Sequence, residues 1–282
     1  MIDLLLSPLS YAFMQRGLIE VLMVGVLCAI MGTYVVLRSM AFLGDAMAHA
    51  VLPGVAIAYL IGGNLTAGAL FAALLIALGI GLFSNRGVIK EDTAIGILFS
   101  ASLSFGVALI STIRTYAVDL SHILFGNLLG VSVSDIWLTG LLGLVIIAVV
   151  LVLYKPFLII SFDPVLAATL RLPIGFLRNL MLVLLAITIV ISMQTVGVGL
   201  VSAMLVTPAA TAYLLARRLP SMMLLSAFFG AISSLIGLYL SYYLSVSSGA
   251  AIILTATLFF FLAYLIAPQR GLIWTKLAMS KH

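Results

Sequence analysis

Asp45 and His49 are the side chains best placed to do chemistry in this chain. They stand four residues apart in Phe42-Leu43-Gly44-Asp45-Ala46-Met47-Ala48-His49-Ala50-Val51-Leu52-Pro53-Gly54, a spacing that stacks both on one face of a helix. A carboxylate oxygen and an imidazole nitrogen about one turn apart offer two ligands to one borderline-hard divalent cation. Gly44, Ala46, Ala48 and Ala50 surround the pair. Residues this small let a neighbouring helix, or the same helix of a second copy, pack closely. Pro53 has no N–H to give, so the His49 carbonyl loses its usual helical partner and becomes either a further ligand or the site of a kink. Two readings stand at this point. The pair marks an ion or proton pathway, as ionisable groups inside membranes commonly do, or the two side chains pair with each other and lock helix packing.

Other ionisable residues are few. His122, in Asp119-Leu120-Ser121-His122-Ile123-Leu124-Phe125-Gly126-Asn127, falls on the predicted outer side. It reads either as a gate that first receives a metal or as an interfacial histidine in water. Glu20 sits early in the first helix, where its carboxylate reaches water near the outer surface or lines an entrance. Glu91 and Asp92 precede the fourth helix and Asp135 opens the fifth. Anions there suit the helix dipole, so capping is their expected role. His282 ends the chain and carries no reading. Cys28 is the one cysteine, which rules out an internal disulfide and makes a poor metal site. The methionines are scattered along the helices and read as packing. No phosphate-binding G-x-x-x-x-G-K-[ST] loop is present, so ATP hydrolysis is not expected of this chain. H-E-x-x-H and G-x-S-x-G are absent too, and an intramembrane enzyme has no nucleophile–base motif to stand on.

The elements that must position these residues follow from composition. The 282 residues are 65% hydrophobic and 7% charged, against about 25% charged in a soluble domain. Lipid must cover so much apolar surface. The apolar runs are continuous and about 20 residues long, which fits spanning helices, whereas barrel strands alternate apolar and polar residues. Nine such segments are expected, at 17–37, 41–61, 65–83, 92–112, 134–154, 175–194, 199–216, 221–243 and 250–267. The fold class is all-α: one polytopic transmembrane bundle over residues 1–282, with no soluble domain. The N-terminus lacks a basic n-region and a small-residue cleavage site, so no cleaved signal peptide is expected.

Lys and Arg set the orientation. With the N-terminus outside, Arg38, Arg86, Lys90, Lys155, Arg171, Arg178, Arg217, Arg218, Arg270, Lys276 and Lys281 all face the cytoplasm. Only Arg16 and Arg114 then lie outside, a bias of eleven against two that predicts N-out and C-in. The net charge of +5 is thereby a property of loops facing anionic lipid. Nucleic acid is not an expected partner.

Three places break the regular pattern. Gly197-Val198-Gly199 separates two apolar runs too narrowly for an ordinary loop, with Pro208 soon after, and predicts a tight outer turn or a broken helix. Residues 119–133 hold Gly126, Asn127 and Gly130 in apolar sequence and suit a short re-entrant or interfacial helix. The long loop 155–174 contains Ser161-Phe162-Asp163-Pro164, which starts a short cytoplasmic helix with Asp163 as N-cap and Pro164 at N1. That helix ends before Pro173.

Taken together, the chain resembles the manganese/zinc/iron-type permease subunits of bacterial ABC transporters. The resemblance rests on Ser39 through Gly54, Lys90-Glu91-Asp92-Thr93-Ala94-Ile95-Gly96-Ile97, Leu124-Phe125-Gly126-Asn127 and Ala203-Met204-Leu205-Val206-Thr207-Pro208-Ala209-Ala210-Thr211-Ala212. The first and last of these are the more specific. It implies a homodimeric permease in the bacterial inner membrane, two separate cytoplasmic ATPase subunits, and an extracellular metal-binding protein that delivers the ion. It implies that Asp45 and His49 coordinate the cation, and that the coupling helix to the ATPase lies near 163–172, through Asp163, Pro164, Leu166 and Ala167. Relatives often carry an acidic residue after Asp-Pro, where this chain has Val165. No permanently bound cofactor is implied; the metal is cargo. The stretch from His122 to Asn127 looks more like the manganese-type members, with Zn²⁺ and Fe²⁺ as alternatives that the ligand types equally suit.

The expected cycle is release of M²⁺ into a dimer interface, partial replacement of its hydration shell by Asp45 and His49, and a switch of access when ATPase closure pushes the short helix. The rival is a secondary transporter with Asp45 as proton carrier. The Asp-Pro helix and the scarcity of carboxylates within the spans oppose it. A permease for siderophores or cobalamin would favour a wide aromatic-lined cavity over a compact Asp/His pair.

Overall fold

In hydrocarbon a chain must satisfy its own N–H and C=O groups, and a helix does this within one segment. The computed structural model describes residues 7–85, 89–112, 126 and 128–267. Among them there is no strand. The helices are α1 (Ala12–Leu37), α2 (Leu43–Ala50), α3 (Leu52–Leu60), α4 (Leu65–Asn85), α5 (Glu91–Ser111), α6 (Val133–Val152), α7 (Tyr154–Phe162), α8 (Pro164–Thr169), α9 (Ile174–Val196), α10 (Val198–Leu215), α11 (Leu219–Leu244) and α12 (Ser248–Ile266), with 3-10 turns at Pro8–Ser10 and Leu128–Gly130. Nine spans among these residues are long and apolar enough to cross a bilayer, with α2 and α3 forming one of them, Leu43–Leu60. All nine expected segments are therefore present. Large apolar side chains such as Phe71, Trp137, Leu144 and Leu254 stay exposed, as they must where lipid replaces a protein core.

The chain divides into two compact units. One comprises Met1–Val36, Asn127–Gly143 and Gly199–His282; the other comprises Leu37–Gly126 and Leu144–Val198. In the first, α1 is gripped by α10 and α11. A Cβ on Gly32 would run into the Leu205 carbonyl, so only glycine permits that approach. The Ser226 hydroxyl of α11 donates to the Ala29 carbonyl of α1 at 2.7 Å. In the second unit α4 packs on α3 and α9, and α5 packs on α2 and α3. The Arg178 guanidinium of α9 donates to the Ser84 hydroxyl of α4 at 3.0 Å.

The kink that Pro53 offered is present: the segment at 41–61 is two helices joined at Val51, with Pro53 in the first turn of α3, because a proline ring cannot share an unbroken ladder. The structure departs from the sequence expectations after α6. Most of the expected loop at 155–174 is helical, as α7 and α8. The short helix started by Asp163 and Pro164 ends before Pro173 as expected, at Thr169, and Arg171 turns left-handed with φ 53°. The glycine break behaves as expected. Gly197, with φ 86°, is the single residue between α9 and α10, a conformation that glycine adopts without penalty. Residues 119–125 and 127 of the expected re-entrant helix lie outside the described residues. The part that follows is the 3-10 turn Leu128–Gly130.

Candidate functional site

Asp45 and His49 both project from α2. His49 Nε2 lies 3.7 Å from Asp45 Oδ1, beyond a hydrogen bond. Leu43, Gly44, Ala46, Met47, Ala48 and Ala50 are buried, whereas the His49 and Asp45 side chains are 30% and 46% exposed. The pair thus occupies the one open side of an otherwise enclosed helix. Two metal–ligand bonds of about 2.0–2.2 Å each would be long enough to meet across the 3.7 Å gap. The donor set of one carboxylate and one imidazole suits a first-row divalent ion. Among the described residues no group of three or more His, Cys, Asp and Glu side chains comes together. A complete coordination sphere therefore needs ligands beyond these two.

The helix break lies immediately after the pair. The Val51 N–H turns onto the His49 carbonyl. Ser102 of α5 donates its hydroxyl to the next carbonyl, that of Ala50, at 2.7 Å. Phe99, also on α5, sits against Phe42 edge to face with ring centroids 5.5 Å apart, and against the His49 imidazole at 6.3 Å. Neither Phe99 nor Ser102 stood out in the sequence. Aromatic and small polar residues are ordinary in an apolar helix, and only packing shows what they touch.

A second acid–base pair lies where α1 gives way to α2. Arg38 Nη2 meets Glu91 Oε2 at 2.5 Å, with side chains only 10% and 16% exposed. Arg38 Nη1 also reaches the Met181 sulfur at 3.8 Å. Burial draws the Arg38 guanidinium below its ordinary value, while Glu91 pulls it back up and Arg178 lowers it again. Glu91 was expected to cap α5. It begins that helix, but no side chain caps it at Lys90, and the Glu91 carboxylate is engaged by Arg38 instead.

The remaining candidates separate cleanly. Glu20 is fully buried, not in water as expected, and Thr139 of α6 donates to its Oε1 at 2.8 Å. Helical rotation turns Glu20 towards protein, a direction that its depth in the sequence does not reveal. Asp135 caps α6 as expected, in a reciprocal box. The Ser132 N–H donates to its Oδ2 at 2.9 Å and the Asp135 N–H returns to Ser132 Oγ at 3.2 Å. Asp163 caps α8 as expected, its Oδ1 accepting from Val165 N–H at 3.0 Å and Leu166 N–H at 2.9 Å. Ala167 is buried and anchors α8, while Val165, Leu166 and Leu170 stay exposed. His122 lies outside the described residues.

Comparison with known proteins bears on what this arrangement serves. The model of the ABC 3 transport family matches residues 10–267. The manganese transport system membrane protein MntC of Listeria monocytogenes is 47% identical over 268 residues, covering 95% of each chain. A probable iron transport system membrane protein of Haemophilus influenzae is 42% identical over 263 residues, covering 93% of this chain and 97% of its own. The solved structure of PsaBC from Streptococcus pneumoniae in complex with Fab aligns with a TM-score of 0.85 at 41% identity, over 99% of this chain and all of that one.

Proposed function

The chain belongs to the ABC 3 transport family, and from that premise we propose that Asp45 and His49 hold the ion it passes. The protein is a multi-pass plasma-membrane protein, the membrane-spanning permease subunit of an ATP-driven metal importer, and not itself an enzyme. Manganese is the cargo we assign, from the names its relatives carry, with iron as the alternative within the same type. The single observation that carries the site assignment is an Asp45–His49 gap of 3.7 Å on a half-exposed face of a buried helix. At 3.7 Å the two groups are within ion-pair reach but beyond a hydrogen bond, and their half-exposed face lets a dication approach both.

The chain works as one transmembrane permease domain, N-out and C-in, beside a second copy of itself. A metal-binding protein on the outside hands over the ion, and the missing ligands come from the second copy or from water. Separate ATPase subunits bind the face of α8 that shows Val165, Leu166 and Leu170, with Asp163 capping the helix and Ala167 seating it. ATPase closure then pushes α8 and changes access at the pair.

The test is manganese accumulation in cells expressing the full transporter. Asp45→Ala and His49→Ala each abolish uptake while the chain remains inserted and runs as a single species on detergent size exclusion. Parental uptake by either variant removes that residue from the site. An ATPase that co-purifies with the chain separates this reading from a proton-driven transporter with Asp45 as carrier.

A further inference from the structure

α5 presents one stripe to the cargo helix. Glu91, Ile95, Phe99, Ser102 and Gly106 recur at helical spacing along it. Read in order, Glu91 meets Arg38, Phe99 meets Phe42 and His49, Ser102 meets Ala50 and Gly106 meets Pro53, with Ile95 buried between the first two. Glu91 pairs with Arg38 and Phe99 contacts the Phe42 and His49 rings. Ser102 bonds the Ala50 carbonyl. At the far end, a Cβ on Gly106 would stand 3.0 Å from Pro53 N. α5 therefore runs parallel to α2 and α3, and holds them at both ends of the Asp45–His49 turn.

We propose that Phe99 is a positioning residue for the ion site, holding the His49 imidazole so that Nε2 faces the Asp45 carboxylate. The proposal rests on the reading of Asp45 and His49 as cargo ligands. An imidazole on a half-exposed helix face swings about two side-chain torsions, and each swing away from Asp45 dissolves the two-ligand arrangement. Phe99 blocks that swing. Its own ring is fixed edge to face by Phe42, and Ser102, three residues on, fixes the backbone just past His49. The ring also puts an apolar wall beside the imidazole where water would otherwise compete for it. Outer residues that hydrogen-bond and orient a metal-bound histidine are worth about 10–100-fold in metal affinity, and a ring that only packs on the imidazole belongs at the lower end.

The experiment measures Mn²⁺ binding to the full-length purified permease, reading affinity by titration and the imidazole contact by the ¹⁴N coupling in pulsed electron paramagnetic resonance of the bound ion. Wild type shows ¹⁴N coupling. Phe99→Ala loses about 10-fold in affinity and shows a weakened ¹⁴N coupling. Phe99→Tyr, which keeps the flat ring, restores both. Phe99→Leu, which keeps bulk but not the ring, behaves like the alanine variant and replaces it if the latter does not insert. Wild-type affinity and coupling in Phe99→Leu or Phe99→Ala overturn the positioning role, as does failure of Phe99→Tyr to restore them. Wild-type Mn²⁺ without any ¹⁴N coupling, or undiminished binding by His49→Ala, overturns instead the cargo-site reading on which the proposal rests.

Discussion

Two acid–base pairs of this chain face the same physical problem and answer it differently. Arg38 and Glu91 are nearly enclosed and close to 2.5 Å. Asp45 and His49 are half-exposed and stand 3.7 Å apart. Charge is expensive away from water, and a pair that has closed has spent its interaction on its own stability. The second pair, 3.7 Å apart within one helical turn, is looser and more open to what lies outside the helix. Glu20 repeats the first solution with a hydroxyl, since it is fully buried and accepts from Thr139. These three carboxylates are therefore not equivalent: Glu20 and Glu91 are enclosed with protein partners, and Asp45 faces out of its helix.

The largest expected effect separates the two pairs by function. Asp45→Asn keeps size but removes the charge that meets a dication, and manganese uptake should be lost without a change in thermal stability. A drop in the melting temperature of the purified protein as large as that of a buried-pair variant would make Asp45 structural, and the contrast would collapse. Next, Arg38→Ala leaves Glu91 buried and uncompensated. Breaking such a pair costs about 3–5 kcal/mol, read as a lower melting temperature. Arg38→Met with Glu91→Met should recover most of that loss, because the apolar replacement strands no charge.

Smaller effects sharpen the same contrast. Asp163→Ala removes a cap worth about 1 kcal/mol. It should leave Mn²⁺ binding to the permease intact and lower uptake per ATP hydrolysed, measured together in proteoliposomes with the ATPase subunits. Smallest of all is Glu20→Gln. The amide oxygen still accepts from Thr139, so the change in stability should stay near 1 kcal/mol or less and uptake should be unchanged. A total loss of uptake in a stable Glu20→Gln protein would move Glu20 from the structural group to the transport path.

Some of this was legible from residue order. Nine apolar runs of spanning length could be nothing but membrane helices, since composition alone requires lipid and backbone satisfaction alone requires helix. Asp163-Pro164 announced its own cap, and Asp135 its own, because caps depend on neighbours a few residues away. The spacing of Asp45 and His49 put both on one face for the same local reason.

Only the tertiary structure decided what each of those faces meets. Glu20 turned inwards to Thr139, 119 residues along the chain, and Glu91 left its capping duty for Arg38, 53 residues away. Phe99 and Ser102 acquired their contacts from α2, a helix separated from α5 in sequence by α3 and α4. Helix formation is set by local bonds, and sequence carries it directly. The direction in which an apolar helix turns its few polar groups is set by which neighbours arrive, and in a chain where nearly every face is apolar the pattern that would reveal that direction is almost flat.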